Sequence, residues 1–96
     1  MTAPIWTNRY QRAEELPFQT LQDELVVLVP REWMHHLIEG VGVDIWEYLQ
    51  QPHAGDEILA MVLENFEVPE ATARRDVEQF LTLMVERKLI RVVTPA

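Results

Sequence analysis

The side chains best suited to chemistry in this chain are three histidines, a large excess of carboxylates and one pair of adjacent arginines. His35 and His36 are neighbours, and two imidazoles meeting at one ion would begin a zinc site. They fall within Trp33-Met34-His35-His36-Leu37-Ile38, which reads as a strand. Successive strand side chains point to opposite faces, so this pair cannot readily chelate one ion. One imidazole is expected to pack and the other to meet water, as a half-buried strand requires. His53 follows Pro52 in an expected loop. No metal ligands are assigned.

The carboxylates lack the partners that mark acid–base work. Asp56-Glu57 and Glu70 fall where helices should start and suit the positive end of the helix dipole. Glu47, Glu64, Glu78 and Glu86 belong to solvated helix faces. There is no Gly-x-Ser-x-Gly, no phosphate-cradling glycine loop and no nucleophile–base signature. The reading is therefore a non-enzyme with no catalytic residue and no cofactor. Arg74-Arg75, near the start of the longest helix, suggest a DNA-reading helix, but Glu70, Asp76 and Glu78 lie beside them.

These residues are carried by a small set of elements. Residues 1–15 form a polar N-terminal arm, expected to fray or to pack its aromatics, Trp6 and Tyr10, on the body. Residues 16–96 form the domain. Phe18–Leu21, Leu25–Val29 and Trp33–Ile38 predict a three-stranded antiparallel sheet, the β-rich run Leu25-Val26-Val27-Leu28-Val29 being the strongest strand. From Gly40 the apolar period changes from two to about 3.6, with Gly40 and Gly42 read as a flexible start to the helices. Helices are expected near 42–51, 55–66 and 69–87, with Pro69 as the first residue of the last. Ile90 to Val93 reads as a last short strand or a tail. The fold class is α+β and winged-helix-like, a three-stranded antiparallel sheet followed by three helices.

Composition narrows the partners. The 96 residues hold 8 basic and 16 acidic side chains, a net charge of −8. Nucleic-acid affinity rests on phosphate neutralisation, so a polyanion is disfavoured and a neutral or basic peptide fits better. With no cysteine, disulfides and zinc–thiolate sites are excluded. No apolar run approaches the roughly 20 residues that span a bilayer, and Met1 to Trp6 lacks the pattern of a signal peptide. A cytoplasmic protein without membrane contact is expected.

Taken in order, Ile38-Glu39-Gly40-Val41-Gly42-Val43-Asp44-Ile45-Trp46, Ala54-Gly55-Asp56-Glu57-Ile58, Asp76-Val77-Glu78-Gln79-Phe80-Leu81 and Lys88-Leu89-Ile90 resemble the PqqD-like family. Its members are leader-peptide-binding domains, also called RiPP recognition elements. The corresponding family patterns are Leu-Asn-x-x-Gly-x-x-Ile-Trp, Thr-Val-Asp-Glu-Ile, Asp-Val-x-x-Phe-Leu and Gly-Leu-Ile/Val. Glu39, Ala54 and Lys88 depart from them at turn and cap positions, and the resemblance spans about residues 16–91.

The resemblance implies that a precursor (leader) peptide adds as a strand to the third β-strand, in a groove walled by the third helix. Such addition satisfies the unpaired backbone groups of an edge strand. The implied peptide-binding residues are Trp33, Met34, His35, His36, Leu37 and Ile38 on the edge, and Arg74, Val77, Leu81 and Val85 on the helix. A separate modifying enzyme or leader peptidase, acting for example in lasso-peptide or quinone-cofactor biosynthesis, would be the second partner. Two rival readings are a winged-helix DNA-binding regulator and a structural subunit forming a homodimer through the edge strand.

Overall fold

The computed structural model describes residues 4–13, 16–29 and 34–93. The apolar run beginning at Leu25 lies in the centre of a meander. Strand β3 (Glu24–Val29) pairs antiparallel with β2 (Phe18–Leu21) on one side and β4 (Met34–Glu39) on the other. Gln22 and Asp23 alone link β2 to β3, and the tight turn holds Gln22 at φ 54. Leu25, Val27, His36 and Ile38 are buried on the inner face, while His35 and Leu37 point outward. The two histidines are thus parted by strand alternation. Trp33 and residues 30–32 lie outside the described residues.

Three helices cover the inner face: α2 (Val41–Tyr48), α3 (Gly55–Asn65) and α4 (Glu70–Glu86). Their stripes, Ile45 and Trp46, Ile58 and Val62, and Ala73, Val77, Leu81 and Met84, interlock with Leu25, Val27 and Ile38. Trp46 is fully enclosed and receives the Phe18 ring edge-on at 5.8 Å. Gly40 takes φ 61 in the turn from β4 into α2. Pro69 is the N-cap of α4 rather than its first residue. At the other end, the Leu89 N–H donates to the Met84 carbonyl (2.9 Å) and the Lys88 N–H to that of Val85 (3.0 Å). This closure puts Lys88 at φ 64, where glycine is the favoured residue.

The N-terminal arm is part of the fold. After the single turn α1 (Pro4–Thr7), β1 (Arg9–Arg12) becomes the middle strand of a second antiparallel sheet, between β5 (His53–Ala54) and β6 (Ile90–Val93). Tyr10 is buried, and its hydroxyl donates to the Ile5 carbonyl at 3.0 Å. A Cβ at Gly55 would stand 2.9 Å from the Trp6 Cα, so glycine there lets the arm lie against the start of α3. The sequence left fraying and packing both open because β1 has no apolar run of its own. Its order comes from pairing with segments more than 40 residues away. Among the described residues no helix is long and apolar enough to cross a membrane.

Candidate functional site

Strand β4 is an edge of its sheet, and the ladder fixes which of its backbone groups face outward. The Leu28 N–H donates to the Pro17 carbonyl at 2.9 Å, so Leu28, and with it Val26 and Glu24, directs its backbone bonds toward β2. By the alternation of an antiparallel strand, Leu25, Val27 and Val29 then bond toward β4. Their partners there are Ile38, His36 and Met34. His35, Leu37 and Glu39 consequently present their N–H and C=O groups to the open side. Neither a lysine nor a proline blunts this edge between Met34 and Glu39.

Beside the edge runs a groove lined by Glu39, Val41, Gly42, Ile45, Asp76, Gln79, Phe80 and Leu83. Its floor is α2 and its wall is one flank of α4. Gly42 makes the shape: a Cβ there would fall 2.8 Å from the Phe80 ring and 2.9 Å from Ile38 Cγ2. Glycine at this position therefore serves close packing, not the flexibility expected of it. Phe80 is partly buried, and Leu83 keeps 39% of its surface exposed. Glu39 closes the β4 end of the groove, and Asp76 brings a carboxylate to the α4 wall. The cleft is apolar at its base and negative at its rim.

The sequence-assigned helix wall is distributed differently. Val77 and Leu81 are fully buried in the core. Arg74 and Val85 lie on the flank away from the groove. The Arg74 guanidinium stands over the Trp6 ring at 5.2 Å, and Val85 lines a depression with Ile5, Tyr10 and Val92. Arg74, Val77, Leu81 and Val85 thus run along the core stripe and its far side. The groove side repeats at Asp76, Gln79, Phe80 and Leu83, with the same three- and four-residue spacing. The usable signal was the pair Phe80 and Leu83, two large apolar residues off the central stripe.

The other polar cluster holds the fold together. Glu57 accepts the Ala54 N–H at 2.8 Å and lies 3.5 Å from His53 and 3.9 Å from Arg9. These contacts, the backbone hydrogen bond foremost, hold its carboxyl below the usual carboxylate range. His53 stacks on Tyr48 at 3.8 Å. Burial raises the Tyr48 phenol, helped by the charges of Glu57 and Glu64. Among the described residues no three side chains are grouped to hold a metal.

A three-stranded meander followed by three helices, with one open strand beside an apolar cleft, defines a winged-helix-like α+β domain. The chain belongs to the PqqD family: the family described as Coenzyme PQQ synthesis protein D (PqqD) matches residues 24–90. Two solved structures share the fold. "TbiB1 in Complex with the TbiA(beta) Leader Peptide" is similar with a TM-score of 0.73 and 22% identity, over 90% of this chain and 98% of that one. "Lasso peptide synthetase B1 complexed with the leader peptide" gives 0.72 and 17%, over 84% and 95%. No curated protein matches the chain.

Proposed function

We propose that this protein is a leader-peptide recognition domain, which binds a ribosomal precursor peptide by strand addition and presents it to a separate modifying enzyme or leader peptidase. The observation that carries the reading is the open β4 edge next to an apolar cleft. The names of the two structural neighbours, both bound to leader peptides, support it. The leader lies antiparallel to β4 and bonds to the outward groups of His35, Leu37 and Glu39. Alternate side chains drop toward Phe80 and Leu83. Met34, His36 and Ile38 position the edge from below, while Asp76, Gln79, Phe80 and Leu83 form the helix wall.

Backbone hydrogen bonds contribute about 0.5–1.5 kcal/mol each net, against the cost of ordering a flexible peptide. Affinity therefore comes mainly from apolar anchors in the cleft. Asp76, with the acidity of the chain as a whole, favours leaders with Lys or Arg beside those anchors. The same charges, on a chain at −8, oppose the rival reading of a DNA regulator.

The domain raises the local concentration of substrate at its partner and performs no bond chemistry itself. Titration of labelled candidate leader peptides tests the reading. Saturable binding is expected, and Leu83→Asp should weaken it by at least about tenfold, or ~1.4 kcal/mol, with an unchanged circular dichroism spectrum. Absence of saturable binding by the wild type would overturn the proposal. A change in the peptide's mass on incubation with this protein alone would overturn the non-enzyme part.

A further inference from the structure

The helices cover one face of the meander, yet its central strand is apolar on both. A continuous apolar run is the pattern of a strand buried from two sides, whereas an antiparallel sheet with a wet face normally alternates. On the outer face the register sets Val26 beside Leu37, and Leu28 beside His35. Leu21 and Leu37 expose 48% and 54% of their surfaces. Pro17, Val26, Leu28 and His35 line a shallow depression there. At one end of the patch Glu24 and Glu39 stand directly opposite each other, next to Leu21, with Asp23 in the adjoining turn. Like charges directly opposite in a sheet are destabilising. The fold keeps this unfavourable pair at the margin of an apolar surface that no described residue covers.

We infer that this outer face is the docking surface for the catalytic partner, and that the partner meets it with apolar side chains bordered by Lys or Arg. The inference rests on the leader-binding reading, because it needs a partner enzyme to exist. The charges choose among occupants. A second copy of this chain would set Glu24, Glu39 and Asp23 against their own images or against another chain of charge −8. An anionic lipid surface would be repelled by the same carboxylates. A basic-rimmed protein would relieve the Glu24–Glu39 repulsion and cover the leucines.

The geometry also lets both ligands bind together. The leader adds in the plane of the sheet beyond β4, while the partner sits on the sheet's outer side. An added leader strand would extend that outer face past His35 and Leu37, so the partner would touch protein and leader at once. Leader binding should then strengthen partner binding, and by linkage the reverse.

The experiment uses the full chain, the leader peptide that it binds, and a purified leader peptidase or modifying enzyme that acts on the same precursor. Leu21→Ser, Val26→Thr and Glu24→Lys alter the outer face and none of the groove residues. Each variant should bind leader within about twofold of wild type, and the double variant Leu21→Ser/Glu24→Lys should bind the enzyme at least about tenfold more weakly. Wild-type enzyme binding should weaken with salt, as opposite charges require. Undiminished enzyme binding by the double variant overturns the inference and leaves leader recognition standing. So does a wild type that binds leader but not the enzyme, self-associates through this face in sedimentation, or binds phosphatidylglycerol vesicles in the enzyme's place. Failure of the wild type to bind leader is the separate result that removes the underlying reading.

Discussion

The two sheets of this molecule have the same number of strands and opposite designs. In the β5-β1-β6 sheet the N-terminal arm is the middle strand, and its polar groups are tied down. Arg91 donates to the Gln11 side chain at 3.1 Å, Arg9 to the Pro52 carbonyl at 3.1 Å, and the Arg12 N–H to the Leu49 carbonyl at 3.0 Å. In the β2-β3-β4 sheet the strongest strand is in the middle, while β4 leaves three residues' backbone groups without cover among the described residues, and Leu21 and Leu37 stay exposed. One sheet ties β1 and β6 to the helices. The other keeps its hydrogen-bonding capacity for a ligand. An edge strand is a hazard unless something pairs with it, so the contrast itself directs attention to β4.

The largest effect is expected where the sheets meet. The Arg12 guanidinium of β1 lies over the Phe18 ring of β2 at 4.9 Å and over Trp46 at 5.7 Å. Trp46→Ala should destabilise the protein by about 3–5 kcal/mol in denaturant titration. A loss confined to leader binding, with stability kept, would mean that the two sheets do not share this core.

Paired prolines sharpen the comparison within β4. His36→Pro removes a bond to β3 and buries a misfit, so it should unfold the meander. His35→Pro removes only an outward donor and should keep the fold while weakening leader binding by at least about tenfold. Equal behaviour of the two variants would contradict the assignment of inward and outward groups.

For the other sheet, Tyr10→Phe deletes the hydroxyl that donates to Ile5. It should lower stability by about 0.5–1.5 kcal/mol without changing leader affinity. Two cap substitutions should act in the opposite sense. Ala54→Thr would supply the side-chain acceptor that the N-cap of α3 lacks, and Lys88→Gly would relieve the left-handed residue at the end of α4. Each should raise stability by about 0.5–1 kcal/mol in thermal melts.

The smallest effect is expected from pH. The folded carboxyl of Glu57 titrates below its unfolded counterpart, so its contribution is present above the unfolded value. That contribution is lost as pH falls through the folded one. Glu57→Gln should flatten this acid limb and leave stability near neutrality little changed in slope.

Much of the open sheet was legible in the sequence; of the closed one only β6 was read, as a short strand or a tail. Leu25 to Val29 announced its strand by composition, and the period change after Gly40 marked the helices. β1 and β5 carry no comparable run, and their order comes from pairing that short-range pattern does not report. Arg74, Val77, Leu81 and Val85, read as the helix wall, share the helical spacing of any core stripe, and Val77 and Leu81 are buried in that stripe. Which flank of α4 meets β4 depends on how the helix is rotated in the fold. Gly42 against Phe80 fixes that rotation, and it is a contact across 38 residues of sequence.

The most direct test of leader recognition at the open edge is an amide chemical-shift titration of the full chain with its leader peptide. The expected result is joint movement of His35, Leu37 and Glu39 with the Asp76–Leu83 segment, while Arg9–Arg12 and Ile90–Val93 stay fixed. Shifts confined to Arg9–Arg12, Ile90–Val93 and the Arg74–Val85 flank, with Met34–Glu39 silent, would contradict it.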